Sequence, residues 1–341
     1  MLSLRHWFTL VGTSLAAVVG IYAYAQHVEY VKMHTIPAGL QAFDVNGPIP
    51  TCGRWKDTMP KTRDPAAYRL YIEARRVWRS KIEWQLTRQE ALGILHDVQA
   101  AANQGDWGAQ ALMAYLYRSG LGPLDTNHVL NPDEDKSVEI VRMAVAAGQA
   151  WGYYDLGVAH EHGYGGAAQD EQIAWAYYLK AAQLGSPEAQ MALASDYVKN
   201  KRWDAEEAMV MCAYKQGHGP AAYDLGINAD LRKNFAAVLE YQQAGTKFGD
   251  KRSAAALMFI FDPEEWNSRD KQEQTELKEL NILPDPERER RYHQIFQALD
   301  VNPDLKLTRL NQVLPLPPAE LPTWKGVQDA IEPDPEGPPS Y

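Results

Sequence analysis

The densest cluster of metal-ligand residue types in the chain is His160-Glu161-His162. Histidine imidazoles bind zinc, and a nearby glutamate can act as the general base of a metalloprotease. Two residues apart on a helix, however, the two imidazoles point to different sides and do not share one ion. The spacing also differs from the His-Glu-x-x-His pattern of zinc proteases. We therefore predict no metal site here and expect His160 to pack or to cap a helix.

The other patterns that accompany chemistry are incomplete. The glycine-rich run at 163–166 is not followed by the lysine and the serine or threonine of a phosphate-binding loop. The sequence also has no nucleophile elbow and no Cys-x-x-Cys. We expect a binding protein without a cofactor. An exported enzyme would need a site assembled from scattered residues.

Two cysteines, Cys52 and Cys212, are the remaining reactive side chains. An even number of cysteines in an exported chain indicates a disulfide. Such a bond would tie an irregular N-terminal segment to a helical repeat. Two unpaired buried thiols are the alternative, because spacing in the sequence does not test disulfide geometry.

A helical repeat marked by small residues must position these side chains. Glycines recur at spacings of 43, 37, 32 and 32 residues, with a small residue four positions later and an apolar residue eight positions later. Periods of this size, built from helix pairs, indicate an α-solenoid, which usually holds another macromolecule. The glycines are Gly105, Gly148, Gly185, Gly217 and Gly249; the small residues are Ala109, Gly152, Ala189, Ala221 and Ser253; the apolar residues are Met113, Leu156, Leu193, Leu225 and Leu257.

The clearest repeat lies between Gly148 and Gly185. Apolar and small residues recur at three- and four-residue steps over 150–160, which predicts one face of a first helix, helix A. The glycines at 163–166 can end helix A, and Asp170 is placed to begin a second helix, helix B. Helix B carries another apolar face and ends at Gly185.

This unit resembles the Sel1-like repeat, a relative of the tetratricopeptide repeat. The resemblance covers about residues 88–261 and implies an all-α fold, a right-handed α-solenoid of helix-turn-helix repeats. It implies little about function, because such repeats serve many roles as adaptors. The matching stretches are Tyr-Asp-Leu-Gly-Val-Ala-His-Glu-His-Gly-Tyr-Gly (154–165), Ala-Trp-Ala-Tyr-Tyr-Leu-Lys-Ala-Ala-Gln-Leu-Gly (174–185) and Gly-Ser-Pro-Glu-Ala-Gln-Met-Ala-Leu-Ala (185–194).

Segments outside the repeats complete the predicted organisation. Asp64-Pro65 and the capping-box pattern from Thr87 to Glu90 are helix-start signals, which predict an N-terminal pair of capping helices. Proline and glycine punctuate the segment before this pair and the tail of the chain. The predicted segments are 1–25 (signal peptide or signal anchor), 26–64 (irregular), 65–104 (capping helices), 105–261 (repeats), 262–326 (C-terminal helices and proline-rich cap) and 327–341 (disordered tail).

The first capping helix carries a run of basic residues. Such a run is more often a solvated helix face than a patch that binds an acidic group, and both interpretations stay open. The residues are Arg69, Arg75, Arg76, Arg79 and Lys81.

The N-terminus has the pattern of an export signal. Arg5 and His6 precede an uncharged stretch of 19 residues, 7–25, which ends in the small-x-small sequence Ala23-Tyr24-Ala25. A cleaved signal and an uncleaved inner-membrane anchor both fit this length. Either one predicts a periplasmic protein, whose only membrane contact would be an uncleaved N-terminal segment.

The net charge of −10 and the pI of about 5.4 limit the class of partner. An acidic chain is not expected to bind nucleic acid or an anionic membrane surface. A basic protein partner is compatible with this charge, although solubility alone also explains it.

The proline-rich tail carries a second resemblance. Residues 313–326, Val-Leu-Pro-Leu-Pro-Pro-Ala-Glu-Leu-Pro-Thr-Trp-Lys-Gly, resemble the C-terminal segment of exported Sel1-repeat proteins encoded beside type VI secretion effectors. That family looks like the immunity proteins that neutralise antibacterial lipase and phospholipase toxins. The resemblance implies a periplasmic immunity protein whose partner is such a toxin. A polyproline stretch that caps the last helices is compatible with this role.

We expect the toxin to be held by the inner face of the superhelix, built from helices A, and to be inhibited sterically. A periplasmic Sel1-like scaffold or adaptor for envelope protein complexes is the alternative. A few aromatic anchors can dominate a large interface, although packing between repeats competes as an explanation for each aromatic. The predicted partner-binding residues are Tyr117, Tyr154, Asp155, Glu161, His162, Tyr164, Asp196 and Trp324.

Overall fold

The computed structural model describes residues 21–331, and over these residues it confirms the predicted all-α solenoid. A single isolated β-bridge, between Leu121 and Leu130, accompanies the helices in this range. The helices are α1 (21–33 of the described residues), α2 (Trp55–Thr58), α3 (Pro65–Trp78), α4 (Arg88–Asn103), α5 (Trp107–Ser119), α6 (Glu134–Ala146), α7 (Ala150–His162), α8 (Glu171–Leu184), α9 (Pro187–Lys199), α10 (Trp203–Tyr214), α11 (Gly219–Leu231), α12 (Phe235–Lys247), α13 (Lys251–Phe261), α14 (Pro263–Ser268), α15 (Lys271–Glu279), α16 (Pro286–Val301) and α17 (Leu310–Val313).

The repeat pattern in the sequence is the core of the solenoid. Helices α5, α7, α9, α11 and α13 are helices A, and α6, α8, α10 and α12 are helices B. We call the five recurring glycines the register glycines, because each one begins a repeat of the pattern. All five have positive φ, between 74° and 99°, which glycine adopts without a steric penalty. The residues four and eight positions after each of these glycines are buried in all five repeats.

Small residues let neighbouring helices approach closely. A Cβ added to Gly152 on α7 would lie 2.6 Å from the Cβ of Ala144 on α6. The equivalent positions, Ala109, Ala189, Ala221 and Ser253, are completely buried. A larger side chain at these sites would force the helix axes apart, so the small residues set the spacing of the repeats.

Both predicted helix-start signals of the capping pair are present. The Asp64 carboxylate accepts hydrogen bonds from the backbone N–H groups of Ala66 and Ala67, and Pro65 is the first residue of α3. Thr87 and Glu90 form the reciprocal capping box of α4. These contacts satisfy backbone donors that the first turn of a helix leaves unpaired.

The described part of α1 is exposed, and the predicted export signal lies outside the described residues except for 21–25. The prediction that 26–64 is wholly irregular is wrong at two places. Residues 26–33 continue α1, and 55–58 form α2, where Trp55 is buried. Within 21–331, no helix combines the length and the apolar character that a membrane span requires.

Residues 34–63, here called the N-terminal strap, run along the repeats before the first capping helix. The Nδ1 atom of His34 lies 2.8 Å from the Asp170 carboxylate at the start of α8. Phe43 stacks on Trp175, with ring centroids 5.3 Å apart. Cys52 is joined to Cys212 of α10 by a disulfide, with Cα atoms 5.6 Å apart. The strap therefore crosses several repeats and is fixed to them.

The first and last parts of the described solenoid contact each other through Asp304, which follows α16. Its carboxylate accepts hydrogen bonds from Nε and Nη2 of Arg75 on α3, at 2.6 and 2.8 Å, and one from Arg79 at 3.3 Å. Burial alone would raise the pKa of Asp304, but the hydrogen bonds and charges of Arg75 and Arg79 outweigh it and lower the pKa. We call this contact the clasp. Two of the basic residues of the first capping helix thus bind an acidic group of the same chain.

The C-terminal segment packs over α13 and α16. The Arg291 guanidinium donates to the carbonyl oxygens of Val313 and Pro322, at 3.0 and 2.9 Å. The predicted disordered tail begins too early, because 327–330 form a 3₁₀ turn in which Ala330 is fully buried. That apolar contact orders the chain beyond residue 326. The rest of the predicted tail, 332–341, lies outside the described residues.

Replacing Cys52 by serine should lower the free energy of unfolding by about 2–5 kcal/mol, because the bond spans a sequence separation of 160 residues. Urea denaturation without reductant measures the change. The double variant Cys52→Ser/Cys212→Ser should match wild type treated with reductant. Equal midpoints for oxidised wild type and the variant would contradict the prediction.

Replacing Asp304 by alanine should cost about 3–5 kcal/mol, because it leaves the largely buried Arg75 guanidinium without its carboxylate. Chemical denaturation measures the loss, and small-angle scattering should detect a larger radius of gyration as the two ends separate. The matched control is Asp300→Ala. Asp300 pairs with Lys251 where both side chains are about half exposed, so its loss should cost less than about 1 kcal/mol. Similar losses in the two variants would refute the special role of Asp304.

Candidate partner-binding face

One exposed row of side chains runs across successive helices A. It consists of the residues found ten positions after each register glycine, and three of its members are large and exposed: Tyr115 by 40%, Ile227 by 39% and Phe259 by 47%. Val158 is half-buried and Ser195 is exposed. Side chains three or four residues earlier on a helix share the same face, which places Asp155 and Tyr154 beside Val158. We call this surface the helix-A face.

Charged and phenolic groups connect neighbouring repeats on this face. The Arg118 guanidinium of α5 lies near the Tyr164 hydroxyl and near Asp155 of α7, and it opposes the rise that burial causes in the pKa of each group. Tyr115 lies 5.8 Å from the same guanidinium. The Tyr154 ring lies 5.5 Å from the ring of Tyr178 on α8. The first two repeats therefore present one continuous polar and aromatic surface.

Two carboxylates at the centre of the face are unusually easy to protonate. Burial raises the pKa of Asp155 to about 6, against an opposing effect of Arg118. Burial also raises the pKa of Glu188 to about 7, and the neighbouring Asp155 carboxylate adds to the shift. Both side chains still contact solvent. Desolvation of partly exposed groups fits an inward-curved surface, where atoms of adjoining repeats surround each carboxylate.

A hydroxyl group and an imidazole lie next to the Glu188 carboxylate. The Ser186 hydroxyl donates to Glu188 at 3.2 Å, whereas Nδ1 of His218 lies 3.9 Å from its carboxylate. Burial lowers the pKa of His218 to about 4, helped by Lys306, so this imidazole is neutral at pH 7. Lys306 itself donates to the carbonyl oxygen of Phe248 at 2.6 Å.

The far end of the face is more fully paired. The Arg252 guanidinium of α13 bonds to the Asp250 carboxylate at 2.9 Å and lies 4.3 Å from the centre of the Tyr223 ring. Burial raises the pKa of Asp224, and the charge of Arg252 partly offsets this. The carboxylates with pKa values raised to about 6 and 7, Asp155 and Glu188, therefore lie nearer the centre of the face.

Four of the predicted partner-binding residues come together. Tyr154 and Asp155 lie on the helix-A face, and Tyr164 joins them through Arg118. Glu161 is exposed at the end of α7, where its carboxylate accepts a hydrogen bond from the hydroxyl of Tyr178. These four side chains form one cluster across the second repeat.

The other four predicted residues lie apart from that cluster. Tyr117 is half-buried, and the centre of its ring lies 5.4 Å from the ammonium group of Lys136. It occupies the same position in its repeat as the buried residues Tyr197 and Phe261 do in theirs. His162 is exposed at the last position of α7. The Asp196 backbone carbonyl accepts a hydrogen bond from Asn200, and its side chain is half-buried.

Trp324 packs against α16 at the C-terminal end. Its indole N–H donates to Gln294 at 2.7 Å, and the Arg291 guanidinium lies 5.4 Å from its ring. These contacts place Trp324 within the packed C-terminal segment, away from Tyr154 and Asp155.

Sequence reasoning missed several residues of the face. Arg118 and Glu188 were not predicted, and neither were Tyr115, Ile227 and Phe259. The constant offset of ten residues from each register glycine would have identified the three apolar residues. No comparable signal marks Glu188, because its environment depends on packing across three repeats.

The His160-Glu161-His162 cluster does not form a metal centre. Nδ1 of His160 lies 2.8 Å from the Ala168 carbonyl oxygen, and the imidazole stacks on Tyr177 with centroids 5.4 Å apart. Over residues 21–331, no group of three or more histidine, cysteine, aspartate or glutamate side chains is arranged to hold a metal ion. His160 therefore has a packing and hydrogen-bonding role.

The two raised pKa values predict a pH-dependent stability. Asp155 and Glu188 bind a proton more readily in the folded chain than in the unfolded chain. Their ionised forms therefore destabilise the fold at pH 8, and this destabilisation decreases as the pH falls through 7 and 6. The variant Asp155→Asn/Glu188→Gln should therefore be more stable than wild type at pH 8, and the difference should shrink at pH 5. Urea denaturation at both pH values tests this. The control variant Glu139→Gln, at an exposed position on α6, should have the same stability as wild type. The prediction is contradicted if the double variant is more stable than wild type by the same free energy of unfolding at pH 5 and at pH 8.

Comparisons with known proteins agree with this architecture. A family model described as a domain of unknown function (DUF6396) matches residues 253–336, and no curated protein matches the chain. Among solved structures, Pseudomonas aeruginosa 5086 (PA5086) is 27% identical with a TM-score of 0.63, covering 82% of this chain and 98% of that one.

Two further solved structures from Pseudomonas aeruginosa are described as immunity proteins. Pa5087 is 27% identical with a TM-score of 0.61, and PA5088 is 24% identical with a TM-score of 0.60. Each similarity covers 79% of this chain and 94% of the other. The chain is thus a helical solenoid that resembles these solved Pseudomonas aeruginosa structures in fold.

Proposed function

We propose that this protein is a periplasmic immunity protein that binds a type VI secreted phospholipase or lipase toxin and inhibits it sterically. The observation that carries the proposal is the similarity to the immunity protein Pa5087, which extends over 79% of this chain and 94% of that protein. The proposal assigns no catalytic activity to the chain and requires no cofactor.

The helix-A face supplies the binding surface in this proposal. Exposed aromatic and aliphatic side chains from several repeats share this face with the carboxylates of Asp155 and Glu188, whose pKa values are raised by burial. Large, rigid side chains make strong anchors at protein interfaces, and surrounding charges select the partner and speed association. Occupying this face would place the toxin against several repeats at once and cover the opening of its active site.

Two features support a periplasmic location. The N-terminal sequence has a basic residue, an apolar stretch of 19 residues and a small-x-small site, as export signals do. The disulfide between Cys52 and Cys212 suits an oxidising compartment. A toxin that attacks membranes from the periplasmic side would meet its inhibitor there.

Coexpression tests the proposal. Each protein encoded beside this gene would be directed to the periplasm of a susceptible host, with and without this protein. We expect one neighbour to kill the host, this protein to restore growth, and the two proteins to purify together. Rescue should weaken with Tyr154→Ala and with Asp155→Asn, because both residues lie on the helix-A face.

Exposed substitutions elsewhere serve as controls. Glu139→Gln on α6 should rescue as well as wild type does. If no neighbour is toxic and no tight partner is captured, the immunity proposal fails. A periplasmic scaffold for envelope complexes would then be the better account.

A further inference from the structure

We infer that one edge of the solenoid, where the third and fourth helices A end, rests on an anionic phospholipid surface. This edge holds the turns 199–203 and 231–235, in which α9 leads into α10 and α11 leads into α12, and we call it the A–B edge. A lipid surface is a partner beyond the proposed function, and binding to it depends on no toxin. Three features point to it: exposed apolar side chains, a local basic charge, and the place where the N-terminal segment joins the fold.

Large apolar side chains are exposed at both turns. Leu231, the last residue of α11, is 79% exposed, and Trp203, the first residue of α10, is 60% exposed. Val198, the penultimate residue of α9, is 42% exposed. Tryptophan is enriched where proteins meet the headgroup region of a bilayer, because its ring is apolar and its indole N–H is polar. Leucine beside it can bury apolar surface at the same depth.

The charge of this edge is opposite to that of the whole chain. The two turns contain five basic residues and no acidic residue, whereas the net charge of the chain is −10. Within residues 21–331, no carboxylate lies within salt-bridge distance of the three lysines of the turns, and all three are exposed. The argument from net charge against an anionic membrane therefore does not apply to this edge. The lysines are Lys199, Lys201 and Lys233.

The acidic residues that adjoin the turns do not cancel this charge. Asp204 pairs with Arg202, with a nitrogen-to-oxygen distance of 3.1 Å. Asp196 is half-buried one turn before the end of α9, which leaves Asp230 as the exposed carboxylate that is not in a salt bridge beside either turn. A net positive charge therefore remains at the surface of this edge.

Two of the lysines have an unfavourable backbone conformation. Lys201 and Lys233 follow their register glycines at the same distance in the sequence and have φ of 60° and 55°. A Cβ makes this conformation costly, and at the end of α7 the chain places Gly163 there instead. Strain that is retained at equivalent positions of two repeats indicates that the side chain itself has a use.

The two turns lie together on the solenoid. The side-chain amide of Asn228, near the end of α11, donates to Glu206, near the start of α10, at 3.2 Å. This hydrogen bond joins the helix ends that flank the two turns. Trp203 and Leu231 therefore belong to one surface, and the lysines lie beside them.

The N-terminal segment joins the fold at the same edge. His34 lies 2.8 Å from Asp170, at the turn between α7 and α8, and the Val45 carbonyl oxygen accepts a hydrogen bond from Arg202 at 2.9 Å. The described residues of α1 are all exposed and end directly before His34. The uncharged stretch 7–25 is thus connected to the solenoid at the A–B edge. Of the solenoid, this edge is joined most directly to any bilayer that holds the stretch.

An anionic bilayer satisfies these features together. Each lysine near an anionic surface strengthens binding on the order of fivefold, and the apolar side chains add buried surface. The connection through α1 makes the contact intramolecular, so a weak surface affinity is sufficient. Helix axes run from one edge of a solenoid to the other. The helix-A face would therefore stand beside the membrane and remain open to a protein partner.

A fluorescent probe on the full chain tests this inference. Ala236→Cys, at an exposed position just after the second turn, would be labelled with nitrobenzoxadiazole while the native disulfide stays intact. The chain would be reconstituted into phosphatidylcholine vesicles with about a quarter phosphatidylglycerol, and nitroxide lipids would quench a probe that touches the bilayer. The matched control is Ala147→Cys, exposed after the end of α6 on the opposite edge. We expect quenching at 236 to exceed quenching at 147 by about threefold or more.

Charge variants test the role of the lysines. Replacing all three by glutamine should reduce quenching at 236 to the level at 147, and wild type in pure phosphatidylcholine should give the same low value. Leu231→Ser should reduce it in part. A control variant removes the same amount of charge from other exposed sites and should leave quenching unchanged. Thermal melts would establish that each variant folds. The control variant is Lys56→Gln/Lys215→Gln/Lys271→Gln.

Two results would overturn the inference. One is equal quenching at positions 236 and 147, and the other is an equal response of the two triple variants. A protein with acidic groups would then be the better candidate partner for the lysines. The vesicles contain no toxin, so either result leaves the immunity role to be decided by the coexpression experiment.

Discussion

Close approach of the helices at small residues is the constraint on which this structure depends. Gly152 touches the side chain of Ala144 so closely that a Cβ there has no room, and its equivalents in other repeats are buried without exception. Fixing this distance in every repeat makes the curvature of the solenoid regular. Regular curvature in turn brings side chains of consecutive helices A onto one surface, and crowds Asp155 and Glu188 enough to shift their pKa values.

Local and periodic features of the fold were predictable from the sequence. The register of glycine, small residue and apolar residue identified the core, and the Asp64 and Thr87 signals identified two helix starts. Each depends on residues close together in the chain or on a repeated offset. The strap contacts and the clasp depend on separations of 136 and 229 residues, which no local pattern specifies.

The residues of the candidate binding face were harder to predict because one helix presents two faces. Tyr117 and Tyr115 are two residues apart on α5, yet Tyr115 is exposed and Tyr117 is half-buried in a packing register. Both residues are tyrosines, so the residue type alone does not predict which of them is exposed. Only the comparison of equivalent positions across repeats separates a face that packs from a face that remains open, and this comparison also explains why Trp324, outside the repeats, belongs to packing with α16.

The clasp has a consequence for how this protein can evolve. Open solenoids gain and lose repeats readily, because each unit contacts only its neighbours. Here Arg75 on the first capping helix must meet Asp304 after the last long helix. Inserting or deleting one repeat would move the two residues out of reach and leave a largely buried guanidinium without its carboxylate. A change in the number of repeats would therefore break a contact that lies outside the repeats themselves.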